Sequence, residues 1–255
     1  MNQHLFPGNT DKQWESWGEQ DPYFGVLTSR IYHRDCLTDD SLEQFFASGR
    51  DHVDSLLQEI RIRIDPEFEP KMGLDFGCGV GRVLVPLAQV CETVVGVDIS
   101  PAMLAEAEKN CGSNHLGNVR LILSDDDLFG VEGEFDFIHS FLVFQHIRPE
   151  RGLKLVRKLV GLLAEGGVGA LQFHYFTGPT SILSRMADWA YDHIPFTFGV
   201  RNILKGEPFK TPRMQMNLYD LNAITAILQE AGCNRVGLKF NRKRDHYGVM
   251  FLFRK

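Results

Sequence analysis

The sequence predicts a doubly wound α/β fold: a sheet of seven strands, mostly parallel, with helices on both faces and an antiparallel strand toward its C-terminal end. Three observations predict it. Short apolar runs alternate with segments whose apolar residues recur at helical spacing, the pattern of consecutive strand–helix units. A glycine-rich turn, Gly77-Cys78-Gly79-Val80-Gly81, joins the first such run to the helix after it. The last two apolar runs, Arg235 to Phe240 and Tyr247 to Phe253, are separated by a short polar stretch and read as a hairpin.

Residues 1 to about 40 are polar but carry Trp14, Trp17, Tyr23, Phe24 and Tyr32. These are too many large rings for a disordered tail, so the segment is expected to fold back over the main domain. Val53, Leu56, Leu57, Ile60 and Ile64 recur at helical spacing, and Asp65-Pro66 closes that helix. Residues 1–65 are therefore expected to form a helical, aromatic cap, and 66–255 the main domain.

The first strand of that domain spans Met72 to Phe76. Val80, Val83, Leu84, Leu87 and Ala88 share one face of the next helix, which Pro86 shortens. Thr93 to Asp98 reads as a buried strand, and Ser100-Pro101 supplies a cap and a first-turn proline for the following helix. Val119 to Leu123 and Glu134 to Ser140 are the third and fourth strands. Pro149 opens a helix with Leu153, Val156, Leu159, Val160 and Leu163 inward, and Gly166-Gly167 is expected to end it before a fifth strand, Val168 to Phe173.

From Thr177 to about Met216 the periodicity breaks down. Prolines and glycines punctuate Trp189, Tyr191, Phe196, Phe198 and Phe209. Long irregular stretches in compact domains are usually functional, and 177–216 is expected to be a lid over the site. A homodimer contact is the alternative use of the same rings. Leu221, Ile224 and Leu228 then mark a helix that stops at Gly232. No internal repeat is visible.

At 255 residues and 44% hydrophobic content, the chain suits one large domain with appendages. No run of about 18 apolar residues marks a membrane span. The opening Met1-Asn2-Gln3-His4 lacks the basic-then-apolar pattern of a secretory signal. A cytoplasmic location is expected. The formal charge of -6 argues against a nucleic-acid surface, and Arg242-Lys243-Arg244 reads as a solvated turn. Cys36, Cys78, Cys91, Cys111 and Cys233 are scattered without a C-x-x-C pair. That suggests neither a zinc knuckle nor a redox motif, and fits reduced thiols. Cys78, inside the glycine turn, reads as a small packing residue.

Glycine has no Cβ and tolerates positive φ, so the turn lets a ligand lie against bare backbone. The dinucleotide fingerprint is G-x-G-x-x-G. Here the sixth position is Arg82 and the third glycine comes one residue early. No Lys-Ser or Lys-Thr follows to make a phosphate loop. The turn therefore suits a nucleoside ligand without a pyrophosphate. Asp98 lies 21 residues after Gly77, at the end of the second strand, where an acidic residue binds ribose hydroxyls. A carboxylate offers only acceptors and takes both hydroxyl protons. An ordinary strand-end aspartate is the other reading. A nicotinamide-dependent oxidoreductase is the rival class, and Arg82 and the early third glycine disfavour it.

Asp75-Phe76-Gly77-Cys78-Gly79-Val80-Gly81 resembles the first motif of class I S-adenosylmethionine-dependent methyltransferases. Val95-Gly96-Val97-Asp98-Ile99-Ser100-Pro101, with Met103-Leu104, resembles the segment that follows it in that family. The similarity continues through Val119 to Asp127 and Phe135 to Ser140, about residues 71 to 175 in all. The Tyr23 region and Met214 to Asp220 are similar, less specifically, to bacterial members acting on small molecules.

The resemblance implies a Rossmann-like fold, S-adenosylmethionine as cofactor and a small-molecule methyl acceptor, such as a sugar or other secondary metabolite, attacking through O or N. It implies that Gly77, Gly79 and Gly81 approach the methionyl and ribose parts, that Asp75 reaches the methionyl ammonium and that Asp98 holds the ribose diol. Ile99 would pack on the adenine and Met103 would close the pocket, unless both are core. Asp125 would accept from the adenine amino group and Asp126 would offer its backbone N–H. Ser140 would place a backbone carbonyl near the ammonium. Asp125-Asp126-Asp127 also reads as a polar loop or a divalent-metal site; no fourth ligand is evident nearby, and no metal is expected.

Methyl transfer from a sulfonium is a direct displacement, so alignment and exclusion of water matter most. A base is needed only for a hydroxyl or a protonated amine. His146, just past the fourth strand, is the first candidate, and His174, with Tyr175 beside it at the end of the fifth, the second. His139 lies inside the fourth strand and reads as packed core. The absence of an Asn-Pro-Pro-Tyr sequence disfavours DNA amino methylation. The other functional readings are a nucleoside-binding protein without turnover and a methyltransferase of protein or RNA.

Overall fold

A computed structural model describes residues 10–178, 182–194, 196–243 and 245–255. The opening Met1-Asn2-Gln3-His4 and Arg244 of the basic turn lie outside the described residues. Two helices come first, α1 (Thr10–Gln20) and α2 (Pro22–Val26). The long helix α3 (Asp39–Arg63) follows. Thr38 and Ser41 start it with a reciprocal cap, each side-chain oxygen accepting the other's backbone N–H.

Strands and helices then run as β1 (Met72–Phe76), α4 (Leu84–Val90), β2 (Thr93–Asp98), α5 (Pro101–Ser113), β3 (Val119–Leu123), β4 (Phe135–Ser140), α6 (Pro149–Gly161) and β5 (Leu163–Thr177). After β5 come α7 (Ile182–His193), α8 (Thr197–Leu204) and α9 (Leu221–Glu230), then the hairpin β6 (Arg235–Lys243) and β7 (His246–Arg254). The strands form one seven-stranded sheet in the order β3-β2-β1-β4-β5-β7-β6. β7 is antiparallel to both of its neighbours, and the other six strands share one direction. Strand order reverses between β1 and β4, where Asp75 and His139 are register partners. In such sheets a crevice opens beyond the strand ends at the reversal.

Alternation along the strands divides the core. Leu74, Ile138, Leu171 and Phe251 face α6 and α9, which bring Leu155, Leu159, Ile224 and Leu228. Phe137, Val94, Ala170 and Leu252 face α3 and α4, which bring Leu56, Ile60, Leu84 and Leu87. Burying each large side chain contributes about 1.5–3 kcal/mol. A third cluster of Trp17, Tyr23, Tyr32 and Phe45, with Val80 and Met103, packs α1 and α2 onto α3 and α5.

Two expectations need correction. α6 stops at Gly161, not at Gly166-Gly167. Those glycines sit in an irregularity of β5: Phe135 pairs with Leu163 but Phe137 with Val168, and Gly166 has φ of 77°. β5 therefore starts five residues early. The 177–216 stretch is also not irregular throughout, since it holds α7 and α8. Prolines at 179, 195 and 208 bracket these helices in the sequence without entering them. Leu183, Met186 and Trp189 of α7 recur at helical spacing but are exposed. Among the described residues no helix is long and apolar enough to cross a membrane.

Candidate active site

The glycine turn is built by the end of β2. Gly77 and Cys78 both donate their N–H to the Val97 carbonyl, at 2.7 and 3.0 Å. Gly77, Gly79 and Gly81 take φ of 76°, 53° and 89°, which side chains rarely tolerate. A Cβ at Gly77 would also stand 2.3 Å from Cγ2 of Val143, and one at Gly79 2.9 Å from Cγ2 of Val26. Asp98 fastens the turn: its carboxylate accepts the Gly79 N–H at 2.9 Å and the Ser100 N–H at 3.0 Å. Burial pushes the Asp98 carboxyl above its ordinary pKa, although the N–H groups of Ser100, Gly79 and Ile99 work against that rise.

A cavity runs along this turn at the ends of β1, β2 and β4. Asp75, Gly77, Gly79, Asp98, Ile99 and Met103 line it, with Asp125 and Asp126 beyond. Ser100 caps α5 by accepting the Met103 N–H, and gives its own hydroxyl to Glu15 of α1 at 2.6 Å. The three successive aspartates diverge to different partners. Asp125 accepts from the N–H of Asp127 at 2.8 Å within its own turn. Asp126 is held by the guanidinium of Arg151, which also binds Asp11 of α1 at 2.6 Å. Asp127 pairs with Lys158.

The buried Asp75 carboxylate accepts the Nδ1–H of His139 at 2.8 Å. Read from the sequence as packed core, His139 is indeed fully buried, yet it lines the cavity and its ring is bound at both nitrogens. Its Nε2 lies 2.9 Å from Nε2 of His52 on α3. Nearby, Arg82 is buried with its guanidinium over the Phe141 ring, 5.6 Å from the centroid, and bonded to the carbonyl of Ser48 at 3.3 Å. Burial lowers the Arg82 pKa to about 10, and Asp75 opposes that shift.

His146 lines the cavity under Trp14 of α1, with ring centroids 4.8 Å apart. Its Nδ1 faces the Gln215 carbonyl at 2.7 Å, and its Nε2 the side-chain amide of Gln145 at 2.9 Å. A carbonyl only accepts, so the proton sits on Nδ1 and the lone pair on Nε2. Burial lowers the His146 pKa to about 4, against the pull of the Gln215 carbonyl. α1 and the 213–215 strip thus cover the cavity together, and the Arg213 N–H donates to Gln13 of α1 at 2.7 Å.

Three residues singled out in the sequence stand apart from the cavity wall. His174 stacks on His246 at 6.0 Å, with Nδ1 buried and unpartnered among the described residues. Burial lowers its pKa to about 4. Ser140 gives its hydroxyl to the Phe76 carbonyl at 2.9 Å and so ties β4 to β1. Gly81 lies against Ala107 and Val85. Conversely, Asp11, Trp14, Val143 and Arg151 line the cavity without having been singled out for the site. In the sequence Arg82 stands out only as a mismatch to the dinucleotide pattern. An arginine directly after a glycine turn is itself a signal, because its side chain starts at the ligand's edge.

Residues 74–167 match the family model of a methyltransferase domain. A malonyl-[acyl-carrier protein] O-methyltransferase of Paenibacillus sp. is 27% identical over 184 residues, 70% of this chain and 60% of that protein. An uncharacterized methyltransferase of Synechocystis sp. is 36% identical over 98 residues, 38% of this chain and 44% of that one. The chain thus spans less than two thirds of the length of these relatives. Among solved structures, the magnesium protoporphyrin IX methyltransferase of Synechocystis with bound S-adenosylmethionine superimposes with a TM-score of 0.61 at 18% identity, covering 100% of both chains. The N-methyltransferase NodS of Bradyrhizobium japonicum gives 0.51 at 15% identity, covering 86% of this chain and 99% of that one.

Proposed function

Since this chain belongs to the class I S-adenosylmethionine-dependent methyltransferases, we propose that it moves a methyl group from S-adenosylmethionine to an oxygen or nitrogen of a small molecule. One observation carries this reading. Bare glycine backbone lies between two carboxylates, the buried Asp75 and the half-buried Asp98, on the wall of a single cavity. A Cβ at Gly77 or Gly79 would collide with Val143 or Val26, so neither position has room for a side chain and the backbone of the turn stays bare. Acceptor-only groups on both sides suit a ligand with a cationic end and a diol.

When bound, S-adenosylmethionine supplies a methyl group already activated on a sulfonium. The chain's residues have to bind, align and exclude water. Asp98 holds the ribose hydroxyls with lone pairs that Gly79 and Ser100 leave unused. Asp75 holds the methionyl ammonium. Asp125 takes the adenine amino group, and Asp126 offers its backbone N–H while its side chain stays with Arg151. Ile99 packs on the base and Met103 closes the pocket. His146 offers the Nε2 lone pair to an acceptor hydroxyl once the Gln145 amide turns aside. The 1–65 cap and the 177–216 lid enclose the acceptor, for which a sugar or another secondary metabolite is suitable. Small-molecule chemistry is supported by relatives such as a ubiquinone biosynthesis O-methyltransferase of Bartonella tribocorum, 25% identical over 179 residues.

Calorimetric titration with S-adenosylmethionine and, separately, with NAD tests the cofactor. Binding of NAD alone overturns the reading. Methyl-labelled S-adenosylmethionine added to a cell extract, followed by separation of metabolites, protein and nucleic acid, tests the acceptor. Label in the metabolites is expected. Label in protein or nucleic acid would move the assignment to a macromolecular acceptor, and binding without any transfer would leave a nucleoside-binding protein.

A further inference from the structure

Asp75, His139 and His52 form a hydrogen-bonded file from the cavity to the face of α3, at 2.8 Å and 2.9 Å. Its direction follows from chemistry. A carboxylate only accepts, so His139 carries its proton on Nδ1. Two ring nitrogens 2.9 Å apart need one proton between them. In the tautomer with its one proton on Nδ1, His139 keeps only a lone pair at Nε2, and His52 donates to it from its own Nε2. In that tautomer every N–H in the file points toward Asp75. One carboxylate oxygen, Oδ1, is fixed by it. The other has no hydrogen-bond partner among the described residues, on a side chain that lines the cavity.

The outer end of the file is itself held. The His52 ring stacks on Phe141, with centroids 4.0 Å apart and planes inclined by 28°. Arg82 leans on the same Phe141 ring and bonds back to Ser48, one turn before His52 on α3. Gly49 lets α3 come this close, since a Cβ there would stand 2.0 Å from the Arg82 carbonyl oxygen. α3 therefore presents Ser48, Gly49 and His52 on one face to the glycine turn and to β4. Apolar contact would suffice to pack a helix there. A histidine that burial drives well toward its neutral form is a costly residue for packing alone.

We propose that His52 and His139 are positioning residues that aim Asp75 at the cationic amino group of the bound cofactor. This rests on the methyltransferase reading above and extends it to a residue of the cap segment. It follows that His52 matters for ligands carrying the amino-acid end and not for the nucleoside alone.

Two probes separate these parts. S-adenosylhomocysteine carries the aminocarboxylate, whereas 5′-methylthioadenosine has the same nucleoside and sulfur without it. With the full chain and calorimetry, His52→Leu is expected to weaken S-adenosylhomocysteine about fivefold, the scale of one net hydrogen bond, and to leave 5′-methylthioadenosine unchanged. His52→Gln keeps an N–H at the position of Nε2 and is expected to restore wild-type affinity. Unchanged S-adenosylhomocysteine affinity in His52→Leu overturns the proposal. So does equal weakening of both ligands, or a His52→Gln variant as weak as His52→Leu. A wild-type protein that binds neither ligand overturns the cofactor assignment first, and this inference with it.

Discussion

Glu15 accepts the hydroxyl proton of Ser100 at 2.6 Å, which places a side chain of α1 directly on the cap of α5. It also meets the Ala102 N–H at 3.4 Å. Ser100 still caps α5 through its own bond to Met103 without Glu15. Glu15→Ala is therefore expected to loosen α1 and leave α5 intact. Bound S-adenosylhomocysteine should leave about fivefold faster in stopped-flow displacement, as expected for one lost net hydrogen bond in the cover. An unchanged release rate would mean that α1 does not control escape.

Asp98→Ala is expected to weaken S-adenosylmethionine binding by about 1.5–3 kcal/mol, the range for hydrogen bonds to a charged group. Calorimetry measures it directly. The variant also loses the bonds to Gly79 and Ser100 that fasten the turn, so Asp98→Asn is the paired control. Unaltered affinity in both would place the ribose elsewhere.

Gly49→Ala puts a methyl group 2.0 Å from the carbonyl oxygen of Arg82, a backbone atom that cannot swing away. α3 has to move off the glycine turn. A loss of about 1–3 kcal/mol in folding stability is expected from such overpacking, measured by urea unfolding. Cofactor affinity should fall as well, because α3 supports the turn from behind.

His146 and His174 both have pKa values lowered from 6.5 to about 4 by burial, and His52 is lowered well below 6.5 for the same reason. The unfolded chain takes up these protons near pH 6.5, while in the folded chain His146 and His174 refuse them until about 4. Stability is then fully present above about pH 6.5 and is lost as the pH falls toward 4. Melting temperatures across that window should decline, and His146→Gln should decline less steeply. A flat profile in the wild type would contradict the burial of these rings.

His146→Ala is expected to cut turnover by about 10²-fold, the lower range for removal of a general base, while cofactor affinity stays near wild type. Because the ring is neutral well below pH 6, its titration should leave no inflection in the rate between about pH 6 and 8. Loss of binding and turnover in equal measure would make His146 a support for Gln215 and Trp14 instead.

What the sequence revealed and what it hid divide along a physical line. β1, β2, β3 and β4 are short apolar runs whose faces follow from alternation, and the turn at Gly77 to Gly81 needs positive φ that its glycines announce. Asp98 is marked by its distance along the chain. None of these depends on a remote partner. His139 was read as core because burial and polarity look alike in one strand; only the register with Asp75 and the approach of His52 give it a partner. Arg151 was invisible because its significance lies in Asp11, 140 residues earlier. α7 and α8 were hidden because Leu183, Met186 and Trp189 of the one, and Val200, Ile203 and Leu204 of the other, are exposed and point into no core.

The cover of the cavity has a consequence for how the molecule is made. α1 leaves the ribosome before Ser100, Arg151, Arg213 and Gln215, which it meets and which are synthesised 85 to 205 residues later. Contacts so distant along the chain form late, after the loops between them have closed. The central strands and the glycine turn are complete by residue 140, but the floor under His146 waits for Gln215. The residues of the ligand cradle therefore emerge before those that complete its roof, since α1 cannot meet Arg213 and Gln215 until they have been made.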